Sequence, residues 1–423
     1  MTIARLVPGV VSGTVRAPSS KSYTHRALLA GHLSQHRYVV DAPLDADDTR
    51  ATASALRALG TRTHYSARRW TLAPSRARLR GVASIDCGES GTTLRFLAAV
   101  AARSSRPVVL RGRGRLAERP MAELFQALES LGATCARPRG SRMLPATVTG
   151  PLHGGFVRLD ASRSSQFASA LLLTLPTVPE DSTIELVGPI VSEPYIEATI
   201  AVLRHHRIRV TRRGRRLSIP GGQSYRRGGM RVPGDASSAA YFWTAAAITG
   251  GKLRVTGVPF DWPQADLAIL DILRLAGASV HRSSDGATVS GGDLRPFSVD
   301  LTGSPDLYPL VGVLAAAIPG RSRLRGAVHI VHKESDRRAG TIRLAQAMGA
   351  TVEPKGDGLS IRGRERPRGF QLHGLTDHRL VMSAGVGARA ASGASTVDDA
   401  RAVTKSFPEF WTVLASVVGR SGR

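Results

Sequence analysis

Cysteine is nearly missing from this sequence: Cys87 and Cys135 are the only two in 423 residues, and neither belongs to a metal-ligand spacing. That excludes a disulfide framework and a thiolate metal centre, and a reducing, cytoplasmic setting is expected. Long apolar runs are missing too. The longest, Leu307 to Pro319, is too short to cross a bilayer. The opening residues, Met1-Thr2-Ile3-Ala4-Arg5, lack the basic stretch and apolar core of a signal peptide, so no secretion or membrane anchoring is expected. Lysine occurs only at Lys21, Lys252, Lys333, Lys355 and Lys405.

What is present is arginine, which carries nearly all of a net charge of +26. A basic surface of this size suits phosphate neutralisation on nucleic acid. Clusters such as Arg212-Arg213-Gly214-Arg215-Arg216 lack the interleaved aromatics of a single-strand binder, however, and a general bias toward arginine explains the excess better. The few lysines that survive such a bias then stand out. Lysine is a compact, mobile charge that exchanges a proton, whereas arginine stays planar and charged. With 42% hydrophobic and 21% charged residues, no long stretch is expected to be disordered, and the length suits two or three domains.

A helical pattern ending in a small-residue turn and a short β-like run recurs five times, as in Leu128-Glu129-Ser130-Leu131-Gly132-Ala133-Thr134. The turn positions are 60, 132, 207, 277 and 349, 70 to 75 residues apart. Glycine is the expected residue past the last helical turn, and only Arg207 departs from it. About six αβ modules fill the chain, three to a domain, with a boundary expected between Pro220-Gly221-Gly222 and Pro233-Gly234. The helices expected between Leu94 and Ala102, Phe167 and Leu175, and Ala239 and Ile248 are apolar nearly all round. Such helices belong inside, so the modules should carry helices within and sheets outside, rather than form a doubly wound sheet.

These apolar helices begin alike, with small hydroxylated residues, a glycine or proline and a charged side chain. A helix N-terminus presents unpaired N–H groups and a positive dipole end, so it attracts anions. Pro18-Ser19-Ser20-Lys21-Ser22 opens a helix through Leu33, with Ser22 and Arg26 on one face and Lys21 at its mouth. Asp86-Cys87-Gly88-Glu89-Ser90-Gly91-Thr92-Thr93-Leu94-Arg95 is a glycine turn whose N–H groups suit a phosphate or carboxylate, although no P-loop Gly-Lys-Ser/Thr follows. Glu118-Arg119-Pro120-Met121 is expected to start a helix at Pro120, leaving Arg119 against the macrodipole unless Glu118 or a bound anion offsets it. Ser162-Arg163-Ser164-Ser165-Gln166, Gly234-Asp235-Ala236-Ser237-Ser238 and Ser304-Pro305-Asp306 each precede a further helix, and each alone is also compatible with a plain N-cap; in Asp377-His378-Arg379 the histidine alone reads as a structural hydrogen-bonder, not a catalyst. Lys333-Glu334-Ser335-Asp336-Arg337 places Lys333 and Arg337 on one helical face, where a solvated ion-pair row is the ordinary outcome. Lys405 stands before Ser406-Phe407-Pro408.

Taken in order from Ser19 to Pro408, these motifs resemble the 5-enolpyruvylshikimate-3-phosphate synthase family of enolpyruvyl transferases. The resemblance implies an α/β fold of two similar domains, each of three βαβαββ-type units with buried helices and outer sheets. It places the first domain at 20–232, mainly for shikimate 3-phosphate, and the second at 1–19 with 233–423, completing the phosphoenolpyruvate site in a closing cleft. It implies transfer of the enolpyruvyl group to the 5-hydroxyl of shikimate 3-phosphate, in a cytoplasmic monomer with no metal or organic cofactor. Carried over residue by residue, Lys21, Ser22, Arg26, Ser164, Ser165, Gln166, Ser192, Tyr195, Asp306 and Lys333 would hold shikimate 3-phosphate. Lys21, Gly91, Thr92, Arg119, Gln166, Arg337, His378, Arg379 and Lys405 would hold phosphoenolpyruvate. Asp306 would take the hydroxyl proton, Glu334 would serve the methylene carbon, and Lys21 would neutralise developing charge.

Three positions depart from the family's pattern: Glu89 replaces a frequent asparagine, Arg163 adds charge beside the serine pair, and Pro233 stands at a frequent acidic hinge position. Glu89 must be turned away, paired with an arginine, or protonated. A related transferase acting on UDP-N-acetylglucosamine usually has a cysteine in the loop corresponding to Arg111–Arg119, and none is present. RNA 3′-phosphate cyclase, which shares a related module, needs an adenylylated histidine, and His378 sits in a different motif.

Overall fold

The computed structural model describes residues 2–74, 83–140, 142–326 and 328–419; the outer ends of the expected domain spans, residues 1 and 423, lie outside them. The chain divides into two units, Ser19–Pro233, and Met1–Pro18 together with Gly234–Arg423.

The repeat seen in the sequence is a repeated helix stop. Gly60, Gly132, Gly277 and Gly349 all have φ between +90° and +99°. At Gly60 the amide donates to Arg57 O at 2.9 Å, and Thr61 N donates to Leu56 O at 2.9 Å. This paired bonding satisfies the last helical carbonyls, and it needs a left-handed residue at the turn. The same pair recurs at the other three glycines, and at Arg207 with Ile208. Arg207 keeps the left-handed backbone at φ +59° without glycine's freedom, at a cost of about 1–2 kcal/mol. Its departure is therefore chemical, not conformational.

Each stop leads into an antiparallel hairpin, and each hairpin completes a four-stranded sheet. In Ser19–Pro233, Gly155–Asp160 runs parallel to Ser182–Val187, which pairs antiparallel with Arg216–Ile219 and through it with Thr211–Arg213. Ala83–Asp86, Val108–Arg111, Ala146–Thr149 and Thr134–Ala136 repeat the order. The third sheet joins Tyr38–Asp41 to the distant strand Gly229–Arg231 in parallel and to the hairpin Arg62–Ser66, Arg69–Ala73. The other unit has two such sheets and a three-stranded one. Its N-terminal segment supplies a strand to two of them, Gly13–Arg16 beside Lys252–Thr256 and Ala4–Leu6 beside Ser395–Val397.

Strand residues alternate between buried and exposed, as along Ser182–Val187, so each sheet has one face to cover. The covering helices are Lys21–Leu33, Gly91–Ala101 and Ser165–Thr174 in one unit, and Ala236–Ile248, Tyr308–Ala316 and His378–Ala390 in the other. Nearly every side chain on them is buried, and the three helices of a unit pack on one another. Fully buried leucines such as Leu28, Leu97 and Leu171 stabilise the fold by about 2 kcal/mol each. Helices within and sheets outside is the arrangement that all-round apolar helices dictate. Every one of the six begins at or just after a motif singled out in the sequence.

Candidate functional site

In Ser19–Pro233 the starts of the buried helices are tied together by buried polar side chains. Arg26 is 2% exposed and donates through Nη1 to Ser22 O at 2.9 Å and Ser22 Oγ at 3.2 Å. Its Nε donates to Thr199 Oγ1 at 2.9 Å and its Nη2 to Tyr195 O at 2.9 Å. Burial lowers its pKa to about 10, which leaves it charged at neutral pH. Lys21 pairs with Asp48 at 3.0 Å, at the first turn of the same helix. The neighbouring His25 is buried, and burial, then the charges of Lys21 and Arg26, push its pKa well down. It serves as a neutral hydrogen-bonding ring, with Nδ1 2.7 Å from Thr52 Oγ1, not as a proton donor. Thr52 in turn meets Thr93 at 2.7 Å, which links this helix to the glycine turn.

At that turn Ser90 caps Gly91–Ala101 by accepting from Thr93 N at 3.2 Å. Arg119 lies over Gly91 so closely that a Cβ there would come within 2.4 Å of its Nη1. Thr92 Oγ1 accepts from Gln166 Nε2 at 3.0 Å, and Gln166 Oε1 accepts from Arg95 Nη1 at 2.7 Å. Ser164 caps Ser165–Thr174 by accepting from Gln166 N at 3.2 Å, and Ser165 is buried beside it. Ser192 is also buried, in a left-handed conformation with φ +55°, and its carbonyl accepts from Tyr195 N at 3.1 Å.

In the other unit a second cluster forms around two arginines. Arg337 is 1% exposed and donates to three carboxylates: Asp306 Oδ1 at 2.7 Å, Glu334 Oε2 at 2.9 Å and Asp377 Oδ2 at 2.8 Å. Arg379 Nη2 donates to Asp306 Oδ2 at 2.9 Å, and Lys333 Nζ lies 3.7 Å from Asp306 Oδ1. One partly exposed carboxylate is thus held by three cations. Asp377 also caps His378–Ala390 through Arg379 N at 2.9 Å, with the His378 ring buried 3.7 Å away. Lys405 ends the turn Ala400–Lys405 and is half-buried.

Comparison with known proteins identifies the family of the chain. The model of the EPSP synthase family (3-phosphoshikimate 1-carboxyvinyltransferase) matches residues 7–414. The 3-phosphoshikimate 1-carboxyvinyltransferase of Methanothrix thermoacetophila is 41% identical over 411 residues, covering 95% of this chain and 94% of the relative. The chain belongs to the EPSP synthase family. The enzyme of the same name from Methanocella arvoryzae is 38% identical over 418 residues, covering 98% of each chain. Two solved structures share the fold: EPSP synthase from Acinetobacter baumannii (TM-score 0.81, 24% identity, 99% of this chain and 98% of that one) and the enolpyruvyl transferase NikO from Streptomyces tendae (TM-score 0.79, 18% identity, 98% and 97%).

Against the EPSP synthase pattern, the departures resolve locally. Glu89 is exposed and turned onto the loop Gly112-Arg113-Gly114, where its Oε1 would lie 2.8 Å from a Cβ on Gly114. Arg163 is paired with Glu123 at 3.2 Å. Pro233 contributes its carbonyl, which accepts from Ser20 N at 2.8 Å. Three local expectations fail. The helix after Arg119 starts at Ala122, not Pro120, because the Pro120 carbonyl accepts from Arg95 Nη2 at 2.9 Å in place of a helical amide. Glu118 pairs with Arg115, not Arg119. Lys333 and Arg337 do not share a helix face either. Arg337 is the first residue of its helix and Lys333 precedes it, so they meet only through Asp306.

Three residues that join these clusters were given no role from the sequence: Asp48 against Lys21, Arg95 behind Gln166, and Asp266, 3.8 Å from Arg379. Arg95 had a signal, an arginine one turn into an otherwise apolar helix.

Proposed function

We propose the following division of roles for the family's reaction, in which the enolpyruvyl group of phosphoenolpyruvate passes to the 5-hydroxyl of shikimate 3-phosphate and phosphate leaves. The chain catalyses this transfer in the shikimate pathway. Ser22, Arg26, Ser164, Ser165, Gln166, Ser192 and Tyr195 hold shikimate 3-phosphate, with Asp306 and Lys333. Phosphoenolpyruvate is taken by Lys21, Gly91, Thr92, Arg119, Gln166, Arg337, His378, Arg379 and Lys405. Both substrates carry phosphate and carboxylate groups, and helix N-termini with fixed guanidiniums stabilise such anions without reorganising.

The carrying observation is Asp306, a carboxylate fixed by Arg337 and Arg379 with Lys333 at 3.7 Å. It takes the 5-hydroxyl proton as the oxygen attacks the enol carbon. Glu334, held by Arg337, protonates the methylene carbon and recovers that proton when phosphate is expelled from the tetrahedral intermediate. Lys21 neutralises charge at the bridging oxygen. Among the described residues no helix is long and apolar enough to cross a membrane; the proposed form is a cytoplasmic monomer. The test is phosphate release from purified protein with both substrates. Folded protein that releases no phosphate with the pair overturns the assignment.

Gly91 gives a sharper test of the phosphoenolpyruvate side. Gly91→Ala puts a methyl group where the Arg119 guanidinium lies, and Arg119 must move. The KM for phosphoenolpyruvate is expected to rise about tenfold or more, corresponding to about 1.4 kcal/mol of lost binding, with the KM for shikimate 3-phosphate little changed. Equal rises in both constants would separate Arg119 from phosphoenolpyruvate.

A further inference from the structure

Asp266 lies on the turn Ala265–Leu267 that leads into the helix Ala268–Leu275, and it is 1% exposed. Its Oδ2 accepts the Ser237 hydroxyl hydrogen and sits 3.8 Å from Arg379 Nη1, while its Oδ1 has no hydrogen-bond partner. Arg379 bonds Asp306 through its other terminal nitrogen. One guanidinium therefore lies between two carboxylates, one partly exposed and one sealed in.

We propose that Asp266 is a positioning residue that holds Arg379 through Nη1 and releases its charge to an incoming anion by taking up a proton. This rests on the assignment of Arg379 to phosphoenolpyruvate. The proton comes from solvent onto the unpartnered Oδ1, and no other bond changes. An ionised Asp266 competes with the substrate for Arg379, and a neutral one does not. A sealed carboxylate with an empty oxygen is costly while charged. Burial raises its pKa to about 7, opposed by Arg379, helped by Asp306, opposed by the Ser237 hydrogen bond and helped by Asp235.

The charged and titratable groups around Asp266 and Arg379 are Asp235 and Tyr241 with the helix Ala236–Ile248, Asp306 on its turn, Arg337, and Asp377 and His378 beside Arg379. Tyr241 is pushed up to about 12 by burial and stays neutral through this range. Asp271 and Arg274, on the helix that follows Asp266, are exposed. As pH rises through about 7, Asp266 ionises and substrate affinity falls.

The experiment measures kcat and the KM for phosphoenolpyruvate, at saturating shikimate 3-phosphate, from about pH 5.5 to 8.5, a window centred on the expected break. It compares the wild type with Asp266→Asn and Ser237→Ala. The phosphate of the substrate titrates near pH 6 for all three proteins and cancels in the comparison, as about the same pKa applies to each. Wild-type KM should rise above pH 7, approaching about tenfold per unit for one proton per anion. Asp266→Asn should lose that break. Ser237→Ala removes a bond to the charged form and should move the break to higher pH. A break that Asp266→Asn keeps at its wild-type pH overturns the proposal. If Asp266→Asn does not fold, an unmoved break in Ser237→Ala does the same. Absence of turnover with phosphoenolpyruvate at every pH overturns the functional reading and this proposal together, whereas normal turnover with unmoved breaks overturns this proposal alone.

Discussion

Replacing Lys21 with methionine is expected to lower phosphate release by about a thousandfold or more, the scale of losing a group that stabilises charge only in the transition state. Lys21 is the only lysine between Ser19 and Pro233. It stands at the first position of a buried helix, with its ammonium 3.0 Å from Asp48. A four-carbon stem and a compact charge let it follow a developing oxyanion and pass a proton, which the fixed arginines of the same cluster do not do. Lys21→Arg should therefore remain strongly impaired, although it keeps the charge. The variant must also be shown to fold. Methionine leaves the Asp48 carboxylate without its ammonium, at a cost of about 1–3 kcal/mol. Asp48→Asn in the same chain should return most of that stability and none of the activity. Turnover that survives in a folded Lys21→Met protein removes Lys21 from the mechanism.

The fold was legible where its cause is local. A left-handed turn after a helix announces itself as glycine, so four of the five stops stood out, and the spacing carried the fifth, Arg207. All-round apolar helices declare burial without a partner being named. Helix starts were legible for the same reason, since caps such as Asp235 and Ser164 bond amides two or three residues away.

What was hidden depends on distant partners. Asp48 looks like ordinary acidic decoration of a helix start, yet it faces a lysine 27 residues earlier. Asp266 follows Pro263-Gln264-Ala265, which carries no phosphate-binding signature, and only the folded chain brings it to Arg379. Pro120 is a sound helix start by preference, but a guanidinium from another helix claims its carbonyl. The Lys333 to Arg337 run shows the limit of periodicity. Its spacing fits a helix face, and the chain spends it on a turn so that Arg337 can enter the interior.

Arg337→Met is expected to lower stability by about 3–5 kcal/mol at neutral pH, the scale of breaking a buried charge network from one side. Asp306, Glu334 and Asp377 come from separate stretches of the chain, and Arg337 lies within 3 Å of all three. Burial works against the charge on Arg337, but Asp377, Glu334 and Asp306 overcome it and raise its pKa above the ordinary arginine value. Without it, Asp306 keeps Arg379 and Lys333, while Glu334 and Asp377 both lose the guanidinium that bonds them. The pH dependence distinguishes lost charge from lost packing. The folded variant, crowded with like charges, takes up protons more readily than its unfolded chain. Its stability relative to wild type should then recover as pH falls from about 7.5 toward 5, because protons bound preferentially by the folded state favour it. A urea midpoint gap that narrows across that range supports the charge account. A gap of constant size would mean that Arg337 matters chiefly as volume, and Asp306 would then need another explanation for its fixed position.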